Sequence, residues 1–359
     1  PKDVRKILSS ASGGEVKVET AGSAGLGAAA MRAGAGPPSI ARHSESGVQV
    51  CADARLDNRQ QLYSRLSAPT SPDCSAAELI LHAYLAWGGS FAEQFLGDFA
   101  CVVWDPRAQQ VVCARSPFSL RPLHYSRLPR NGLVIGSSAL ALRGLSGVDS
   151  RLSQERIADY LVMRLEGVDR EITFFEGIRK VPPGHCLIAT PEQFRIERFW
   201  QLPDEDPLEL ESNEAYADAF REVLIESVKS RVASDGVGSM LSGGLDSASV
   251  VALASRCLTE AGRQPLKTYS AIDASDERNP ELRSIRVAQS MPGILSRSVD
   301  LQSEVLDPSP RESMPALEEP FDGAMTMPRA IYAQAAQDGL DALMDGAASD
   351  LVLGGSDRL

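Results

Sequence analysis

The stretch Met240-Leu241-Ser242-Gly243-Gly244-Leu245-Asp246-Ser247-Ala248 decides how this chain is read. It joins a short apolar run, Val237–Leu241, to a helical pattern over Ser247–Leu258, so it predicts a turn at the carboxyl end of a strand that opens directly into a helix. Two adjacent glycines let the backbone turn sharply and come close to an anion. The N–H groups that open the helix then point at that anion, aided by the helix dipole. Ser242 and Ser247 add hydroxyl donors. Asp246 has the wrong sign for a polyphosphate, and its presence makes sense if a cation such as Mg²⁺ bridges the two. The Walker pattern G-x-x-x-x-G-K-[ST] is absent.

Downstream the rhythm is alternating strand and helix: Leu266–Ile272 reads as a strand, Glu281–Ser290 as a helix, Arg329–Asp338 as a helix and Asp341–Met344 as a short strand. Such βα units predict a parallel, doubly wound sheet with helices on both faces. A second acidic turn, Asp345-Gly346-Ala347-Ala348-Ser349-Asp350, follows the last strand. Ligands gather at the carboxyl ends of strands in such sheets, so Asp246 and Asp350 are candidates to face one metal. Upstream lie a helix over Ala215–Val232, started by Ser212 or Asn213, and an acidic, proline-containing linker, Pro203–Ser212.

The N-terminal half reads differently. Residues 1–45 are rich in Gly, Ala and Ser and give a weak signal. Strands are expected at Val48–Ala52, Cys101–Trp104, Val111–Ala114, Leu133–Ser137 and Cys186–Ala189, with an amphipathic helix at Ala76–Trp87 and another over residues 153–165. Turn signals separate the strands, among them Asp105-Pro106, Arg121-Pro122 and Pro182-Pro183-Gly184. The expectation is a layered α+β domain on antiparallel sheets over residues 1–202, followed by the α/β domain over residues 203–359.

Composition narrows the function. Lys and Arg total 36 against 48 Asp and Glu, a formal charge of −12. No basic block is present, which argues against nucleic acid as a partner. No apolar run approaches the roughly 18–20 residues that span a bilayer, and no signal peptide opens the chain, so no membrane partner and a cytoplasmic location are expected. The six cysteines form no C-x-x-C pair and read as buried free thiols. The four histidines show no metal-ligand spacing. With no initiator Met before Pro1 and a Gly-Gly turn just before Leu359, both ends are read as cut.

On these residues the chain resembles the asparagine synthetase family. Ser242–Ser247 is similar to that family's pyrophosphatase loop and Asp345–Gly355 to its second ATP loop. Gly97-Asp98-Phe99-Ala100 with Trp104-Asp105, Ala114-Arg115-Ser116-Pro117 and Arg121-Pro122-Leu123-His124-Tyr125 resemble its amidotransferase domain. Phe174-Phe175-Glu176-Gly177-Ile178 through Pro182-Pro183-Gly184-His185, then Phe199-Trp200, match its joining segment. The resemblance implies an Ntn-type amidotransferase-like domain followed by an ATP-pyrophosphatase domain that stops short of the family's catalytic Lys. It implies ATP and Mg²⁺ as cofactors, with Ser242, Gly243, Gly244, Asp246 and Ser247 holding pyrophosphate and metal, and Asp350 as second metal ligand. Met240, Leu241, Ala271, Asp345 and Gly346 would serve the nucleotide, mainly through backbone. The reaction implied is adenylation of a carboxylate followed by displacement of AMP by an amine.

The departures redirect the reading. Where the family has Asn-Gly-Glu-Ile-Tyr-Asn, this chain has Asp53-Ala54-Arg55-Leu56-Asp57-Asn58. Asp53 puts a carboxylate where the family's oxyanion-hole Asn stands, and Arg55 replaces the Glu that holds glutamine's amine. An Asp expected at the start of the Ala76 helix is Ala76, and an Arg expected before Met31 is Ala30. In the second loop Ala347 and Leu351 stand where the family has Glu. Glutamine hydrolysis is therefore expected to be lost, as in the cyclase branch of β-lactam synthetases and lasso-peptide macrolactam synthetases. The leading expectation is a peptide macrolactam synthetase, with a carboxylate-bearing precursor peptide as substrate and a leader-peptide-processing protein as companion. β-Lactam synthetase, glutamine-hydrolysing asparagine synthetase and a non-catalytic peptide-binding scaffold are the alternatives.

Overall fold

The structure, a computed structural model, describes residues 16–21, 24–29, 40–66, 74–118, 120–129, 131–162, 168–204, 208–233, 236–272, 280–300, 326–347 and 349. The chain divides into two compact units, Pro1–Glu205 and Asp206–Leu359.

The first unit opens with an antiparallel hairpin, β1 (Val16–Ala21) and β2 (Ala24–Ala29), then β3 (Ile40–Arg42) and β4 (Gln49–Leu56). After α1 (Arg59–Arg65) and α2 (Ala76–Trp87) come β5 (Gly97–Asp105), β6 (Gln110–Arg115), β7 (His124–Leu128) and β8 (Gly132–Gly136). α3 (Ala139–Arg143), α4 (Gln154–Leu161), β9 (Arg179–Lys180), β10 (His185–Ala189) and β11 (Phe194–Arg198) complete it. Six of these strands form a sheet in the order β11-β10-β6-β5-β4-β3, and β8-β7-β9 form a second. Every strand pair in both is antiparallel.

Alternation along the strands sorts the side chains into layers. Val50, Ala52, Leu56, Phe99, Cys101 and Val103 point to one face, where Leu62 of α1 and Leu79, Ile80 and Ala83 of α2 cover them. Residues of the other face, among them Ala100, Val102 and Cys113, meet Tyr125, Leu133 and Ile135 of the second sheet. The far side of that sheet, at Val134, packs on Ala139 and Leu142 of α3. The order is helix, sheet, sheet, helix. α2 starts where its sequence says it should. Ser75 accepts from the Glu78 amide at 3.2 Å while the Glu78 carboxylate accepts from the Ser75 amide at 2.7 Å, a reciprocal cap that contributes about 1 kcal/mol.

Three sequence expectations need correction here. The helix expected over residues 153–165 ends at Leu161, with Ser153 as its cap. Within the weakly patterned first 45 residues lie β1, β2 and the start of the large sheet. Of the six free cysteines only Cys101, Cys113 and Cys186 are fully buried, whereas Cys51, Cys74 and Cys257 keep partial exposure. Burial pushes the Cys186 thiol up to about 12.

The second unit begins with α5 (Asn213–Arg231), whose cap Ser212 accepts from the Ala215 amide at 3.2 Å. β12 (Val237–Met240), α6 (Leu245–Glu260), β13 (Leu266–Ile272), α7 (Pro280–Ala288), β14 (Ile294–Asp300), α8 (Thr326–Gln337) and β15 (Ala342–Met344) follow. The four strands form a wholly parallel sheet in the order β14-β13-β12-β15. One face is covered by α5, α6 and α7, through Val228, Val251, Ala254, Leu258 and Ala288 packed on Leu241 and Leu266. The other is covered by α8, through Ala330, Ile331 and Ala335 packed on Tyr269 and Val299. The chain winds outward from β12 to β14 and returns to the opposite side of β12 as β15. The strand order therefore reverses between β12 and β15, and in open α/β sheets that reversal is where ligands bind.

Candidate functional site

Both loops singled out in the sequence leave the sheet at this reversal, one after β12 and the other after β15. The first is held in shape by its own hydroxyls. Ser247 Oγ accepts from the Ser242 amide at 3.2 Å, lies 2.9 Å from Ser242 Oγ and donates to the Gly244 carbonyl at 3.3 Å. Gly243 has φ +79°, and a Cβ on it would lie 2.5 Å from the Ile285 amide nitrogen of α7. Both its backbone angle and its surroundings therefore demand glycine. Gly244 is the N-cap of α6 and offers no side chain to the helix, so the first amides of a 16-residue helix are left to an outside acceptor. Among the described residues, a side chain on Gly244 would meet only Ser242 Oγ, at 3.4 Å, and the cradle is open to them on that side.

Asp246 sits in the first turn of α6, partly exposed beside the cradle. The second loop comes directly against it. A Cβ on Gly346 would lie 2.8 Å from the Ser247 amide nitrogen and 2.9 Å from the Asp246 Cβ. Asp345 shapes that loop by accepting from the Ala347 amide at 3.0 Å, and Ser349 Oγ donates to the Gly346 carbonyl at 2.7 Å. Ser242, Gly243, Gly244, Asp246, Ser247, Asp345 and Gly346 are thus brought together around one crevice. Met240 and Ala271 lie partly buried on the α8 side of the sheet. Leu241 differs: its side chain is in the core against α6, and its amide is spent on the Tyr269 carbonyl at 2.8 Å. Asp350, the second expected metal ligand, lies outside the described residues, as does Leu351. Sequence reasoning passed over Tyr332 of α8, half exposed beside the crevice; burial and then the Asp345 carboxylate push its phenol upward. No local sequence signal marks it.

Among the described residues no group of three or more His, Cys, Asp or Glu is placed to hold a metal. Mg²⁺ does not require one, since it is commonly bound by one or two carboxylates together with substrate phosphates. Asp246 at the edge of an open, glycine-lined helix N-terminus fits that requirement.

In the first unit, Asp53, Arg55 and Asp98 share the face of the large sheet that meets the second sheet. Arg55 and Asp98 are directly opposite across β4 and β5, with Nη2 2.7 Å from Oδ2. Arg55 also pairs with Asp57 at 3.2 Å, and Arg121 with Asp53 at 3.2 Å. Both substituted positions of the expected amide-hydrolysis site are therefore engaged in ion pairs within the chain.

Comparison with known families agrees with this division. Residues 40–200 match the glutamine amidotransferase domain model and residues 219–359 the asparagine synthase model. The chain belongs to the asparagine synthetase family. Its first domain is of the glutamine amidotransferase, Ntn-like kind. The chain is 28% identical over 317 residues to amidase chry2 of Gibberella zeae, covering 83% of this chain and 45% of that protein. It is 31% identical to amidase chyE of Penicillium rubens, over 54% of this chain and 28% of that one. It is 26% identical to glutamine-hydrolysing asparagine synthetase 3 of Bacillus subtilis, over 55% and 31%. The chain spans less than half the length of each of these relatives.

Proposed function

We propose that this protein uses ATP to form an amide bond through an acyl-adenylate, releasing AMP and pyrophosphate. The observation that carries this reading is the meeting of two strand-end loops at the sheet's reversal, one of them an open helix N-terminus with Asp246 beside it. A carboxylate oxygen of the substrate attacks the α-phosphorus, and the bond to the bridging oxygen of pyrophosphate breaks. The amides opening α6, with Ser242, are suited to hold the departing pyrophosphate. Bound by Asp246, and by Asp350 as the sequence suggests, Mg²⁺ would supply neutralisation of phosphate charge. An amine then attacks the acyl carbon, loses its proton, and AMP departs. In this reading Met240, Ala271, Asp345 and Gly346 would serve the adenosine end, as the family resemblance implies.

The amine belongs, in this reading, to the substrate itself. Asp53 and Arg55 support that view, because a carboxylate stands where an oxyanion would form and a cation where an ammonium would bind. A precursor peptide closed into a macrolactam is the substrate class proposed, with a leader-peptide-processing protein as companion. Glutamine-hydrolysing asparagine synthesis is the second reading, favoured by the name of the Bacillus subtilis relative. The two separate when the full-length protein is given ¹⁵N-amide glutamine, ATP, Mg²⁺ and its peptide. The expected product is unlabelled and lighter than its precursor by one water. Label in the product, or glutamate formed in step with turnover, would overturn the glutamine-free reading.

A further inference from the structure

Two hydroxyls in the core of the second unit have no hydrogen-bond partner among the described residues: Thr268 Oγ1 and Ser270 Oγ, on residues 0% and 1% exposed. A buried hydroxyl left unpaired is costly, and each instance in a folded protein calls for a reason. Strand alternation puts both on the face of β13 that carries Leu266, under α6 and α7. Their heights differ. Thr268 stands opposite Ser239, whereas Ser270 is two residues higher, level with Leu241, whose amide donates to the Tyr269 carbonyl at 2.8 Å. From Leu241 the chain crosses towards α7, where Gly243 packs on the Ile285 amide nitrogen with no room for a Cβ. On the other side of Ser270 stands its register partner Ser298, and there Gln289 of α7 donates from Nε2 to the Ser298 Oγ at 3.0 Å. Ser270 therefore lies in the angle between β12, α7 and the Ser242–Gly243 segment.

That segment is one wall of the anion cradle. When successive N–H groups converge on an anion, each planar trans peptide turns its carbonyl the opposite way, into the protein, where the carbonyl requires a donor. In the arrangement described, the loop's own hydroxyls satisfy one another: Ser242 Oγ and Ser247 Oγ are 2.9 Å apart, and the Gly244 amide donates to Ser242 Oγ at 3.4 Å. We propose that Ser270 is a positioning residue of the cradle, whose hydroxyl donates to a carbonyl of the Ser242–Gly243 segment when pyrophosphate draws the amides of that segment towards itself. The hydroxyl favours binding because it gains an acceptor only in the arrangement that grips the anion. This deepens the adenylation reading and rests on it.

The experiment compares the full-length protein with its Ser270→Ala, Ser270→Cys and Thr268→Val variants in two measurements: melting temperature in buffer alone, and affinity for pyrophosphate with Mg²⁺ by calorimetry. Ser270→Ala is expected to melt at or slightly above wild type, because it deletes an unpaired hydroxyl. It should nevertheless bind pyrophosphate about three- to tenfold more weakly, the effect of one hydrogen bond. Ser270→Cys, with a weaker donor in the same place, should fall between Ser270→Ala and wild type in affinity. Thr268→Val removes the same group two residues further from the loop, so it should resemble Ser270→Ala in stability and wild type in affinity. A purely structural hydroxyl would lower stability without this split. Unchanged affinity in Ser270→Ala, a melting temperature clearly below wild type, or an equal loss of affinity in Thr268→Val would each overturn the proposal and leave the adenylation reading standing. A wild-type protein that binds no pyrophosphate would sink both.

Discussion

Gly346 packs on Asp246 with no room for a methyl group between them, although about a hundred residues of chain separate the two. Replacing Gly346 by Ala must push the second loop off the start of α6, because the obstructing atoms are mostly backbone. ATP–pyrophosphate exchange in Gly346→Ala is expected to fall by about tenfold or more, equivalent to about 1.4 kcal/mol. The melting temperature should move by no more than a few degrees. Exchange at the wild-type rate would mean that the two loops act independently.

Asp246→Ala should abolish exchange while leaving the fold intact. A carboxylate in the first turn stabilises a helix by about 0.3–1 kcal/mol through the dipole, so chemical denaturation should register only a small loss. A mutant that keeps exchange would remove Asp246 from the metal's coordination and weaken the adenylation reading itself.

Ser247→Ala tests the loop's shape rather than its charge. The change strips the Ser242 amide of its acceptor, and because Ser242 is exposed the loss is that of an ordinary hydrogen bond, about 0.5–1.5 kcal/mol. We expect that loss in urea denaturation, together with a raised KM for ATP. Thr at the same position, which keeps the hydroxyl, should recover most of both. A fully stable Ser247→Ala protein would show that solvent serves the Ser242 amide equally well.

Much of this is legible in the sequence, and each failure has its own physical reason. The bounds of α2 and of β13 coincide with their sequence readings, because a capping box and an uninterrupted apolar run are local signals. β14 was missed because it is a sheet edge: Leu295, Ser296, Arg297 and Ser298 are all exposed, so no alternation marks it. β7 was missed because its buried face includes His124 and Ser126, polar residues between two prolines. α1 lacks a side-chain cap, since Asn58 is bonded to Gln94 and Leu96 just before β5, and buries only Leu62. The first loop of the site could be read from Gly, Ser and Asp alone. Its contact with Gly346 could not, since that depends on β15 pairing with β12.

Stability at the extremes of pH should report on a cluster in the first unit. Arg107 donates to Asp105 through its backbone amide, Nε and Nη2 at 3.0, 3.0 and 2.7 Å, and these bonds hold the Asp105 carboxyl below its ordinary range despite partial burial. Its contribution is complete above the unfolded value of about 3.9 and is lost as pH falls through the lower folded value. Tyr84, pushed up to about 12 by burial and by Asp105, gives the opposite limb. Its contribution is complete below the unfolded value of about 10 and is lost as pH rises towards 12. Asp105→Asn should flatten the acid limb and Tyr84→Phe the alkaline one. Variants with the wild-type profile would assign both limbs to other groups.

The hydroxyl of Ser239 donates to the Met344 carbonyl, joining positions 105 residues apart at the root of the two loops. Closing so long a loop carries an entropy cost that only the finished sheet repays, so the crevice is among the last features of the second unit to assemble and cannot outlast it. Nucleotide affinity in this protein should therefore behave as an all-or-none gauge of folding. On the proposed reading, chains that have completed β12 to β14 without docking β15 would present only one of the two loops and would not bind ATP.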